Sequence, residues 1–351
     1  MAYTTINKST AHFNTKTYSG TTNSSDAISG IGFQPDLVWL KSRSNAAWHI
    51  WTDAVRGVDS QIYSNSTSAA GSLTNYLESF DSDGFTINNN TDINGSGKTF
   101  VGWNWKAGTT GSGTTTGSGT GKAYSYSVNT TAGFSIVKFI GNGTAGHQIP
   151  HHLGVTPNWI VVKNLERTEN WRGYHSSLGN EYNINLSLSN AKEDSADMWN
   201  DTSPTSSVFT VGTNNGVNYN GNNLIAYCFS EKVGYSKFGS YTGNGSASSG
   251  TFVYTGFKPA FFMWKKSSDT GNWLIMDNKR STFNFAQTYL KANANAAEDA
   301  TSSDIRWDFL SNGLKCRGDN SSINSSGAEY IYMAFAEAPL VGSNNVPCTA
   351  R

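Results

Sequence analysis

The sequence predicts an all-β protein made of three tandem, related β-sandwich (jelly-roll-like) units. Three observations predict it. Short aromatic and β-branched runs alternate with turn residues along the whole chain. Only 14% of the residues are charged while 13% are aromatic, so ring surface can fill a core under a coat of Asn, Ser, Thr and Gly. A ten-residue stretch at 32–41 recurs at 154–163 and 256–265.

The three copies read GFQPDLVWLK, GVTPNWIVVK and GFKPAFFMWK. Proline suits a strand entry, where a missing N–H does little harm. Four consecutive apolar residues describe a strand covered on both faces. The closing lysine is expected to end burial. Upstream of each copy an aromatic precedes a glycine turn (YSGT, FIGNGT, YTGNGS). Downstream, Trp48, Trp171 and Trp273 follow the prolines by 13 or 14 positions. A position held aromatic in every copy is expected in the core rather than as a sugar-stacking platform. Each unit closes on an apolar run: TFVGWNW, NLIAYCF and EYIYMAF. FDSDGFTI and FLSNGLKC carry Asp-Gly and Asn-Gly and read as hairpins.

These landmarks divide the chain into a first β unit (1–106), a linker (107–124), a second unit (125–235) and a third with a C-terminal tail (236–351). The linker, AGTTGSGTTTGSGTGKAY, is Gly/Ser/Thr-rich and is expected to lie against a neighbour, such as another subunit.

Composition also bounds function. Lys plus Arg equals Asp plus Glu, at 25 each, which argues against a basic nucleic-acid face. The N-terminal MAYTTINKST has no signal-peptide pattern, and no apolar run is long enough for membrane insertion, so synthesis in a cytoplasm is expected. Cys228, Cys316 and Cys348 show no metal-ligand spacing and read as reduced thiols. Asp81 and Asp83 fit a turn better than a calcium loop or a glycosidase pair. His147, His151 and His152 fit a surface loop better than a metal site, and His49 and His175 lack a triad arrangement. No enzyme, metal or cofactor is expected. The Asn-rich loops are the preferred ligand-binding candidates, because amides both donate to and accept from hydroxyl-rich ligands. Asn214, Asn215 and Asn218, with Trp199 outside the repeat pattern, are the named residues.

GFQPDLVWLKSR, SFDSDGFTI, TFVGWNWKAG, GFSIVKFIGNGTAG, YSKFGSYTGNG and FVYTGFKPAFFMWKK, with AFAEAPLVGSNNVP near the end, resemble an uncharacterised family of repeat-containing virion proteins. That family is encoded by marine and cyanobacterial tailed bacteriophages. The resemblance implies a virion structural protein, a tail fibre contacting the host surface. A capsid surface fibre or decoration protein, or a free carbohydrate-binding lectin-like protein, are the alternatives. It implies other virion proteins as partners and carries no catalytic residue. A symmetric oligomer, a homotrimer first, and a host surface glycan complete the expectation. Three pseudo-equivalent faces within one chain would be the alternative to a trimer.

Overall fold

The protein is all β. A computed structural model describes residues 4–342 and 346–349. In each third of the chain a larger antiparallel sheet packs on a three-stranded one. The larger sheets repeat one order. An opening strand (Phe13–Ser19, Phe134–Ile140, Ser236–Thr242) pairs with a closing strand (Thr99–Trp105, Asn223–Phe229, Glu329–Pro339). The closing strand pairs with the proline-led strand (Leu37–Ser42, Trp159–Asn164, Phe257–Lys266), and that with a short fourth strand (Ile50–Asp53, Arg172–His175, Leu274–Asp277).

The proline-led strands are buried on both faces, and the reason is architectural. Val38 and Leu40 face the first unit's own small sheet, whereas Leu37 and Trp39 face a core shared by all three units. Ile160 and Val162 divide from Trp159 and Val161 in the same way, as do Phe262 and Trp264 from Phe261 and Met263. Period-two alternation therefore feeds two cores from one strand. At one end of the shared core the equivalent rings Trp105, Phe229 and Phe335 form a triangle with centroid separations of 6.2, 6.1 and 5.7 Å. That triangle marks a pseudo-threefold axis.

The seams repeat just as regularly. Ala47, Glu169 and Gly271 donate backbone N–H bonds to the Asn295, Thr67 and Ser189 carbonyls of the neighbouring unit. Glu298, Ala70 and Lys192 donate in return to the Arg43, Leu165 and Ser267 carbonyls. Each unit thus grips the next through the same pair of main-chain bonds, and the third closes on the first.

Three expectations change. Lys41, Lys163 and Lys265 do not end burial; all three are fully buried. Their ammonium groups donate to carbonyls of the loop that follows: Ser42 and Asn45, Asn164 and Arg167, Lys266 and Asp269. Lys41 also reaches Asn295 across the seam, at 3.3 Å. Burial pushes each ammonium down to about 8. Trp48 is 42% exposed and is not the counterpart of Trp171 and Trp273. The buried His49 is, because its carbonyl accepts from Ser64 as those of Trp171 and Trp273 accept from Leu186 and Ala292. Trp171 and Trp273 then bind the Tyr63 and Asn185 carbonyls of the preceding unit, both at 2.9 Å.

The stretch 107–124 is no simple tether. Thr109–Thr114 forms a strand on Ala123–Asn129, which itself pairs with Phe134–Ile140 and widens the second sheet. Gly111 and Gly113 lie opposite Tyr126 and Tyr124, whose rings cover the bare backbone. Thr116–Gly117 adds a further strand to the small sheet through His147–Pro150.

Candidate functional site

The Asn-rich loops are clamps. Asn90 and Asn214 cap short helical turns at Thr91–Asn94 and Asn215–Asn218, and Asn320 takes the same position in the third unit. Four residues on, Asn94, Asn218 and Asn324 are fully buried. The Asn218 amide accepts from the Asn142 N–H at 2.9 Å, and donates to the Thr144 and Gly212 carbonyls at 2.9 and 2.8 Å. Asn94 and Asn324 make the corresponding bonds, from the Thr21 and Asn244 N–H groups and to the Asn23 and Ser246 carbonyls. The pattern was present as NTDINGSG, NNGVNYNG and NSSINSSG, an Asn pair four apart with an apolar residue before the second.

The named residues accordingly part company. Asn214 is half-buried, holding the Gly216 N–H and donating to Asp197. Asn215 is exposed, and its carbonyl accepts from Asn164. Asn218 is the buried clamp just described. Trp199 is 1% exposed and packs edge-on to Tyr174, so its expected surface position is corrected. An aromatic outside the repeat pattern can still be core when it fills a gap particular to one unit.

The histidines are corrected likewise. His147 and His151 are buried, not in a surface loop. His147 lies between Asn218 (2.9 Å) and Thr115 (2.6 Å), and His151 contacts the Thr205 carbonyl at 3.1 Å. His152 stacks on Tyr126 with centroids 3.7 Å apart. Among the described residues no cluster of three or more His, Cys, Asp or Glu has metal-ligand geometry. Asp83 accepts from the Gly30 and Gly32 N–H groups, which ties its hairpin to the preceding loop and holds the carboxyl below its usual range. Cys228 and Cys316 are buried free thiols and Cys348 is half-buried.

One surface breaks the repetition. In the third unit the outer face of the small sheet (Phe252–Tyr254, Trp307–Leu310, Gly313–Cys316) presents Phe252 at 42% and Tyr254 at 57% exposure. Their register partners are Lys315 and Gly313. The equivalent positions carry Ala27 and Ser29 in the first unit, opposite Thr86 and Gly84. In the second they carry Gln148 and Pro150, opposite Thr210 and Val208. Phe252 leans over Gly313, whereas Ala27 and Ser29 offer no ring to Gly84 at the same place. The fold therefore does not require these aromatics.

Across the sheet, Ala286 and Trp307 exchange two backbone bonds, and the Asn284 amide holds both the N–H and the C=O of Phe309. This fixes a loop that presents Phe283 (82% exposed) and Phe285 (45%), with Arg306 4.4 Å above the Phe285 ring. The result is a shallow trough with aromatic rims, roughly 14 Å across four strand positions. Its floor comes from Gly313, Leu310, Lys315 and Asp308. Beyond Tyr254 the surface continues into a groove of about 260 Å³ lined by Val233 and Leu340. Lone exposed apolar residues are ordinary, whereas two exposed aromatic pairs flanking one sheet face are a candidate interaction site. The signal lay in the aligned copies, where FVY replaces AIS and QIP.

Fold and surface together define an all-β body of antiparallel sheets that exposes aromatic rings on one face. The chain belongs to the family described as domain of unknown function (DUF7483), whose model matches residues 8–339. No curated protein and no solved structure matches it.

Proposed function

We propose that the protein is a non-enzymatic virion component of a tailed bacteriophage, a tail-fibre part that meets the host surface. The observation that carries the reading is the closed ring of three units around one core. Its crossovers near Ala107 and Ser230 leave from the end marked by the Trp105–Phe229–Phe335 triangle. The three Asn clamps stand at the opposite end of the closing strands. Such a body can be attached at one end and present loops and side faces at the other. Main-chain seams suit exposure to salt, which weakens surface ion pairs but not buried backbone bonds. A symmetric oligomer of such chains, a homotrimer first, belongs to the proposal, and the capsid surface is its second location.

The resemblance to virion proteins supports this reading, and the aromatic face supplies a contact surface. Mass spectrometry of purified particles tests it: peptides of this chain at stoichiometric level are expected, and their absence defeats it. A free lectin is the second reading, favoured only by the aromatic face. It predicts the same protein outside particles.

A further inference from the structure

We infer that the aromatic trough of the third unit binds a neutral polysaccharide chain, an inference that rests on the reading above that the protein meets a cell surface. Three features select that ligand.

The first is the rings themselves. Phe252 and Tyr254 stand two positions apart on one strand, so their side chains share a face roughly 7 Å apart. Phe283 and Phe285 stand on the other rim. An aromatic face is electron-rich, and the C–H face of a pyranose ring is its natural partner. The second is charge. Arg317 pairs with Asp308, and the Lys315 ammonium donates to the Gly250 carbonyl. In the adjoining groove Lys237 pairs with Glu231 at 2.7 Å. Arg317, Lys315 and Lys237 are thus occupied from within, and Arg306 lies against the Phe285 ring, an arrangement that matches an uncharged ligand better than an acidic one. The third is shape and polarity. The trough is open and runs on past Tyr254 into the groove, which suits an extended polymer rather than an enclosed small molecule. Its floor holds the half-buried Lys315 between the rims, so a second protein copy docking there would bury that side chain under an apolar partner. Hydroxyl groups can hydrogen-bond to that floor while sugar rings stack on the rims.

The internal repeat supplies the variant. Phe252→Ala with Tyr254→Ser gives the third unit the residues of the first, a combination this fold already accommodates. The full chain and the double variant are applied to an array bearing neutral and acidic glycans, with thermal melting and sedimentation in parallel. The expected result is retention on neutral members, weakened about tenfold or more in the double variant at an unchanged melting temperature. Phe283→Ser, on the opposite rim, is expected to weaken the same members. Three results would overturn the inference: retention on no neutral glycan, retention that the double variant leaves intact, or concentration-dependent self-association abolished by it, which would assign the face to a second copy. The array uses the isolated chain, so its failure leaves particle membership to be decided by mass spectrometry.

Discussion

The three seams use one backbone pattern but two kinds of side-chain chemistry. Where the first unit meets the second, the buried Asp53 accepts from Arg56 at 2.5 Å and from the Tyr227 hydroxyl at 2.7 Å. Where the third meets the first, Asp277 accepts from Arg280 at 2.6 Å and from the Trp103 indole at 3.0 Å. The seam between second and third places His175 and Leu178 at the same positions. Tyr227 and Trp103 correspond to Met333 there, which has no N–H or O–H to offer a carboxylate. His175 instead takes the Ser177 N–H on Nδ1 and directs Nε2 to the Tyr332 carbonyl at 3.2 Å. Main-chain bonding therefore defines the seam, and the buried polar group follows from what the neighbour can donate.

The sharpest way to break this comparison is to remove one carboxylate. Asp53→Ala leaves the buried Arg56 without its carboxylate partner and is expected to cost about 3–5 kcal/mol in urea unfolding, more than Asp277→Ala, after which Arg280 still pairs with Glu298 at 3.1 Å. His175→Ala removes only neutral hydrogen bonds and is expected to cost about 1–2 kcal/mol. Equal losses would remove the distinction. Asn218→Ala tests the loop clamps, which occur in all three units. Orphaning the Asn142 N–H and the Gly212 carbonyl is expected to cost about 2–4 kcal/mol, with Asn94→Ala and Asn324→Ala close behind.

Acid should weaken the histidine seam, alongside the buried His49 and His151, which burial also pushes down. Burial pushes His175 down to about 4, below its ordinary 6.5. Between those values the unfolded chain binds a proton that the folded chain does not, so stability falls as pH drops through the window. His175→Gln is expected to flatten the unfolding free energy between pH 6.5 and 4 by up to about 3 kcal/mol. Lys163 gives the alkaline counterpart. Its folded value is depressed to about 8 against an ordinary 10.5, so the unfolded state holds the extra proton between the two. Its contribution therefore rises with pH across that window, by up to about 3 kcal/mol, and Lys163→Met should remove the rise. The smallest expected effect is Trp48→Ser, within about 0.5 kcal/mol, because the exposed ring is not the seam residue.

Much of the scaffold was legible in the sequence, and the failures are instructive. Four apolar residues in a row correctly indicated a doubly covered strand, although only the structure identifies the second cover as a core shared among units. Lys41, Lys163 and Lys265 are buried although a charge ordinarily signals the surface. A long side chain can bury its stem and spend its donors on loop carbonyls. Trp48 was misplaced by a single residue, since a proline-to-aromatic count cannot separate 48 from 49 without the carbonyl partner of Ser64. The seams join residues far apart in the chain, such as Ala47 and Asn295, and no local pattern announces such pairs. Among the site residues, Asn218 and Trp199 looked like surface because composition alone does not distinguish a clamp from a ligand contact. Phe252 and Tyr254 carry no repeat signal, because the aromatic face lies where the copies differ.

The central claim is that the three units form one cooperative body around a common core. Native-state hydrogen exchange on Asp277→Ala tests it most directly, read in the closing strands Thr99–Trp105, Asn223–Phe229 and Glu329–Pro339. One cooperative body predicts that the slowest amides of all three strands lose protection together and by the same factor. Loss confined to the third unit, with the first two unchanged, would contradict it.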